Sequence, residues 1–121
     1  MAIPVNRPLN VIRVFAHLAD SGTAGSAFTV APCRGKIVLL GSVVYGVVGT
    51  ANNALTAKIA GTAITIPTWA QLTAGSAAGD VVEVVPTAAN IVAAGQNIEF
   101  ITDGAGSNTT PTTFYADLVI I

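Results

Sequence analysis

The sequence predicts an all-β protein, a jelly-roll-like antiparallel β-sandwich of about eight strands with an extended N-terminal arm. Three observations carry this. The 121 residues are 52% hydrophobic and only 9% charged. The apolar share is Ala, Val and Ile rather than Leu and Met, set among 12 Gly and many Thr, a mix that suits pleated surfaces over helices. Turn signals recur every roughly 8–15 residues, and between them apolar residues alternate with period two, with no sustained 3.6-residue period.

Residues 1–9 carry Pro4 and Pro8, which lack an N–H, and form the expected arm. A single β-sandwich domain is expected over 10–121. Strands are expected near 10–19, 26–31, 36–48, 54–60, 62–73, 80–85, 97–103 and 112–121. In the first, Ile12, Val14, Ala16 and Leu18 share one face and Arg13, Phe15 and His17 the other. The run 36–48 is one long buried strand, or two meeting near Gly41 or Gly46. Leu55, Ala57 and Ile59 alternate with Thr56 and Lys58, and Val82 and Val84 flank Glu83. Ile98, Phe100 and Thr102 alternate with Glu99 and Ile101, and Phe114, Ala116, Leu118 and Ile120 with Tyr115, Asp117, Val119 and Ile121. One helical turn at 69–72 and the stretch 87–93 are the open assignments.

Charge and hydropathy exclude several function classes. Five Lys+Arg against six Asp+Glu give a net charge of −1, with no basic stripe for nucleic acid. The most apolar run, 37–48, is too short for a helix that crosses a membrane, which needs about 20 residues. The N-terminus has no basic stretch ahead of an apolar core, so no secretory signal is expected. A single cysteine, Cys33, precludes an internal disulfide.

Catalytic patterns are absent. The only histidine, His17, shares a strand face with Arg13 and is better explained as a surface residue than as a base. Cys33, between Pro32 and Arg34, is better explained as a structural thiol than a reactive one. Glu99 and Asp103 flank Ile101, yet no calcium loop or paired-carboxylate motif accompanies them, and scattered solvated charges suffice. No phosphate loop and no zinc spacing occur, so no cofactor or metal is expected and the chain is not expected to be an enzyme. Asn108-Thr109-Thr110 matches a glycosylation sequon and is expected to be loop.

The outward faces are unusual. Phe15, Ile101, Tyr115, Val119 and Ile121 fall where water is expected. So little charge cannot cover a lone globule, which points to partner-buried surface.

Four segments, Phe28 to Ile37 (FTVAPCRGKI), Ala57 to Ile64 (AKIAGTAI), Gly75 to Val81 (GSAAGDV) and Val92 to Gly104 (VAAGQNIEFITDG), resemble the jelly-roll capsid decoration (cement) proteins of bacteriophages. The resemblance spans about residues 10–121 and rests on turns and strands. It implies a non-enzymatic virion protein on the outer capsid surface, made in the host cytoplasm. Such a protein is a trimer or a dimer, with the trimer favoured, and bridges and stabilises major capsid protein subunits. The expected interface residues are Ile3, Pro4, Val5, Arg7 and Pro8 of the arm, with Arg13, Phe15, Arg34, Tyr115 and Val119. Arg7, Arg13 and Arg34 are expected to pair with acidic capsid surface. The alternative expectation is a carbohydrate- or receptor-binding β-sandwich module of a phage fibre or spike, in which Tyr45, Trp69 and Tyr115 converge on one surface. A small hydrolase is the third and weakest reading.

Overall fold

A computed structural model of the chain describes residues 10–121. The expected arm, with Ile3, Pro4, Val5, Arg7 and Pro8, lies outside them.

Two antiparallel sheets face each other. The first runs in the order β1 (Val11–Leu18), β10 (Thr112–Ile120), β3 (Gly35–Val44), with β7 (Val81–Val84) and β8 (Ile91–Val92) both on the far side of β3. The second runs β2 (Gly25–Val30), β9 (Asn97–Thr102), β4 (Asn53–Ile59), with β5 (Thr62–Ala63) and β6 (Ala70–Gln71) pairing successive stretches of β4. Ten segments therefore fill eight strand positions, and the chain passes between sheets in the double Greek-key manner of a jelly roll. Among the described residues no helix forms, and none long and apolar enough to cross a membrane exists.

The period-two alternation decides which side chains meet between the sheets. Leu55, Ala57 and Ile59 of β4 and Ile98 and Phe100 of β9 face Ala116, Leu118 and Phe114 of β10 and Ile37 and Leu40 of β3, all buried. Phe100 and Phe114 stack nearly parallel across the gap, with ring centroids 5.2 Å apart. The Trp69 ring meets Phe114 edge-on at 6.0 Å, and its Nε1 donates to the Val82 carbonyl at 3.2 Å. Burying each such aromatic or aliphatic side chain contributes about 1.5–3 kcal/mol.

One end of the sandwich is closed by a buried polar layer. Gln71 Oε1 accepts from Ser21 Oγ at 2.8 Å and Asn53 Nδ2 at 3.0 Å, and Gln71 Nε2 donates to Thr112 Oγ1 at 3.1 Å. Asn53 Oδ1 accepts from the Gly106 N–H at 2.7 Å. Buried groups paired this way avoid the penalty of lost hydration.

Several elements depart from the sequence reading. The expected strand over 62–73 is two short segments separated by a loop. Pro67 cannot donate to a ladder, and Thr65 instead bridges Ala88 while Ile64 and Trp69 turn into the core. Residues 70–71 are extended against β4, so no helical turn forms there. The run after residue 35 is one strand that continues through Gly41 and ends at Val44, its ladder to β10 interrupted by a bulge that leaves Val38 over.

Candidate functional site

The outer face of the first sheet brings Arg13, His17, Glu83, Tyr115 and Asp117 together. Register across β1, β10, β3 and β7 lays them out in rows. Phe15 pairs with Tyr115, Tyr115 with Gly41, and Gly41 with Glu83. On one side of this row lie Arg13, Asp117 and Leu39, and on the other His17, Thr113, Val43 and Val81. Rows on one strand are spaced by two residues, roughly 7 Å.

The central row is held rigidly. Arg13 makes a forked ion pair with Asp117, Nε to Oδ1 at 2.6 Å and Nη2 to Oδ2 at 2.9 Å. Its guanidinium carbon lies 4.3 Å from the centroid of the Tyr115 ring, the geometry of a cation–π contact. The opposite side of that ring rests on Gly41, where a β-carbon would stand 2.1 Å from the ring. Glycine in the middle of a strand marks such a close approach. The Tyr115 hydroxyl donates to Glu83 Oε2 at 2.5 Å. Burial first, and the hydrogen bond to Glu83 second, push this hydroxyl up to about 12. The hydrogen bond to Asp117 raises the Arg13 value above its ordinary one.

Beside this locked group stands Phe15, its ring 6.5 Å from that of Tyr115 and 58% exposed. In the neighbouring row a second ring pair, His17 and Tyr45, stands with centroids 6.0 Å apart. Tyr45 is 53% exposed, and its hydroxyl shares a 2.7 Å hydrogen bond with Thr113 Oγ1. Exposed aliphatic side chains flank the face: Val81, Val85 and Ile91.

The expected interface residues divide. Phe15 is exposed, and Val119 lies half-buried on the same sheet face, in the row of Val11 and Lys36. Arg34 is exposed in the turn before β3. Tyr115 differs from expectation: the sequence places it facing water, but it is buried, sealed by Arg13 above and Gly41 below. Arg13 has its charge met by Asp117 of its own chain, which leaves it no unpaired charge to offer a capsid. The convergence of Tyr45, Trp69 and Tyr115 fails at Trp69, which is buried in the core at 2% exposure. Tyr45 and Tyr115 do share one sheet face. The residues that sequence reasoning missed are Glu83 and Gly41; the in-strand glycine was the available signal for the second.

Glu99 and Asp103 are engaged in local hydrogen bonds. Glu99 accepts from Ser26 Oγ at 2.6 Å on the outer face of the second sheet. Asp103 accepts from the N–H groups of Ala54 and Ala105, a turn-stabilising role. Cys33 is half-buried. Among the described residues no group of three His, Cys, Asp or Glu side chains gathers as a metal site would need.

No protein-family model matches the sequence, and no curated protein matches it. Solved structures do share the fold. The carbohydrate-binding module CsCBM6-3 from Clostridium stercorarium, solved with cellobiose, superposes with a TM-score of 0.50 at 9% identity, covering 94% of this chain and 84% of that one. The catalytic domain of a GH87 alpha-1,3-glucanase in complex with nigerose gives a TM-score of 0.50 at 11% identity, over 87% of this chain and 22% of that one. The catalytic unit of the thermostable GH87 enzyme from Streptomyces thermodiastaticus strain HF3-3 gives 0.50 at 13%, over 93% and 26%. This chain thus spans about a quarter or less of the glucanase catalytic domains it matches. At these identities the likeness is one of fold: a β-sandwich of the kind found in carbohydrate-binding modules.

Proposed function

We propose that this chain is a non-catalytic carbohydrate-binding module that takes a neutral glycan on the outer face of its first sheet. The observation that carries this reading is the exposed Phe15 ring standing beside hydrogen-bonding groups already fixed by Arg13–Asp117 and Tyr115–Glu83. A sugar ring has an apolar C–H face and a rim of hydroxyls. Phe15 offers a flat apolar surface for the first. The remaining N–H of Arg13 and the carboxylate oxygens of Asp117 and Glu83 offer charge-assisted partners for the second. Their side chains are ordered before the ligand arrives, so little further rotamer freedom is lost on binding. His17 and Tyr45 extend the platform along the sheet for a second sugar unit. Two carboxylates against one arginine favour neutral sugars over acidic ones. The like-folded module solved with cellobiose supports the same ligand class.

The experiment is a glycan array followed by calorimetric titration with the wild-type protein and Phe15→Ala. Trp69 fluorescence is not a suitable reporter, because the ring is buried away from this face. Saturable binding of a neutral glycan that Phe15→Ala abolishes supports the reading. An array with no retained glycan, or an unchanged affinity in the variant, overturns it.

A second reading, decoration of a phage capsid, is favoured by a different observation. Apolar side chains stand exposed on both sheets, Val81, Val85 and Ile91 on the first and Phe28 and Val30 on the second. A surface apolar on two sides suits a protein held among sister copies and major capsid protein subunits, and assembled shells would then gain stability by mass action. In this reading Phe15, Val119 and Arg34 meet those neighbours. Sizing at low micromolar concentration and co-sedimentation with expanded shells test it; a monomer that stays in the supernatant removes it.

A further inference from the structure

A cavity of about 170 Å³ opens at the end of the sandwich where β3 finishes. Val44, Val48, Leu72, Val81 and Val82 wall it, and Gln71 and Asp80 complete the lining with Ala74 and Ser76. Of the outer-face residues described above only Val81 reaches it, and none of Arg13, Phe15, Glu83, Tyr115 and Asp117 is in its lining.

The polar groups of the cavity differ in what they have left to give. Both ends of the Gln71 amide are engaged in the buried layer with Ser21, Asn53 and Thr112. Ser76 Oγ is engaged with the backbone of Val48, accepting from its N–H at 3.1 Å. The side chains of Val44, Val48, Leu72, Val81 and Val82 are what offer an incoming group apolar contact. Asp80 is different. It is exposed, it is the one charged residue in the lining among the described residues, and only its Oδ2 is used, accepting from the Ala77 N–H at 2.9 Å. Oδ1 has no hydrogen-bond partner among the described residues. The volume is below the roughly 300–1,000 Å³ typical of pockets for drug-sized ligands. The size is that of a single side chain.

We infer that this cavity binds a primary alkylammonium group, with its aliphatic stem against the valines and Leu72 and its ammonium on Asp80 Oδ1. A stem buried on apolar surface with a charged head at the water boundary is the ordinary disposition of a lysine side chain. Charge complementarity with Asp80 and apolar contact with the aliphatic lining select this group over an alcohol, which lacks the charge, and over a carboxylate, which Asp80 repels.

The test is an amide chemical-shift titration of the ¹⁵N-labelled full chain with n-butylammonium, n-butanol and butyrate. Butylammonium is expected to shift Val48, Leu72, Ser76 and Val81 saturably, in the millimolar range, with butanol weaker and butyrate silent. Asp80→Asn keeps the acceptor for Ala77 and so the turn. It is expected to weaken butylammonium roughly fivefold, to the level of butanol, as loss of one exposed ion pair implies. Titration with a lysine blocked at both backbone ends separates the sources: if it binds as well, the group belongs to a partner protein, and if only butylammonium binds, to a free amine. Either result upholds the site. The inference is overturned if these amides show no saturable shift, if butanol and butylammonium act alike on the wild type, or if Asp80→Asn binds the amine unchanged.

Discussion

The Tyr115 ring lies against Gly41 on the neighbouring strand so closely that a β-carbon at Gly41 would stand 2.1 Å from the ring. Nothing larger than hydrogen fits there while the hydroxyl keeps its bond to Glu83. Gly41→Ala is therefore expected to lift the ring off the sheet, break the Tyr115–Glu83 bond and disturb the Arg13 contact. The expected cost is about 1–3 kcal/mol, in line with overpacking of a filled site, read as a lower denaturation midpoint. An unchanged midpoint would mean that the ring does not rest there.

Tyr115 also sets an alkaline limit. Its folded-state value is raised above the ordinary 10.0 to about 12. The folded state thus favours the protonated hydroxyl, and its contribution is fully present below pH 10 and lost as pH rises through about 12. Tyr115→Phe removes this dependence and costs about 1.5–3 kcal/mol at pH 7, the net worth of a hydrogen bond to a charged group. Stability curves of both proteins between pH 9 and 12 check the sign; parallel curves would contradict it.

Asp20 sets an acid one. Hydrogen bonds from the Thr110 N–H, the Thr23 hydroxyl and the Gly22 N–H hold its carboxyl below the ordinary 3.8. A lowered folded-state value means stability that is present above 3.8 and lost as pH falls through the lower folded value. Asp20→Asn is expected to be less stable than wild type at pH 7, with the gap narrowing below pH 4. A gap that stays constant into acid would show that the charge of Asp20 contributes nothing.

Ser42 is fully buried on the core side of β3, and its Oγ has no hydrogen-bond partner among the described residues. Ser42→Ala removes an unsatisfied hydroxyl without opening a large void. Stability is expected to stay level or to rise by up to about 1–3 kcal/mol. Phe100→Ala, in contrast, removes one half of the stacked pair that joins the sheets and is expected to cost about 3–5 kcal/mol. Urea denaturation of the two variants side by side checks both; a strongly destabilised Ser42→Ala would indicate a bonding partner for the hydroxyl.

Strand faces were legible in the sequence because a period-two pattern is local. Leu55, Ala57 and Ile59, and Ile98, Phe100 and Thr102, fall inward as their alternation requires. The pairing of strands was not legible at the level of the site. Arg13 and Asp117 are 104 residues apart and meet only because β1 and β10 pair in one particular register. Alternation alone gave Tyr115 an outward direction, which is correct, but not its burial, which comes from Arg13 and Gly41. Trp69 sits in a non-repeating loop between β5 and β6, where no periodicity indicates direction, and tertiary packing against Phe114 decides it.

The most direct test of carbohydrate binding is retention on a glycan array of the wild type beside Phe15→Ala, with both melting curves recorded. Phe15 is exposed and its ring partner is the cross-strand Tyr115, so the variant is expected to lose no more than about 1 kcal/mol of stability. The wild type is expected to be retained by one class of neutral glycan and the variant to lose that signal entirely. Retention of both proteins alike, or of neither, would contradict a glycan site built on Phe15.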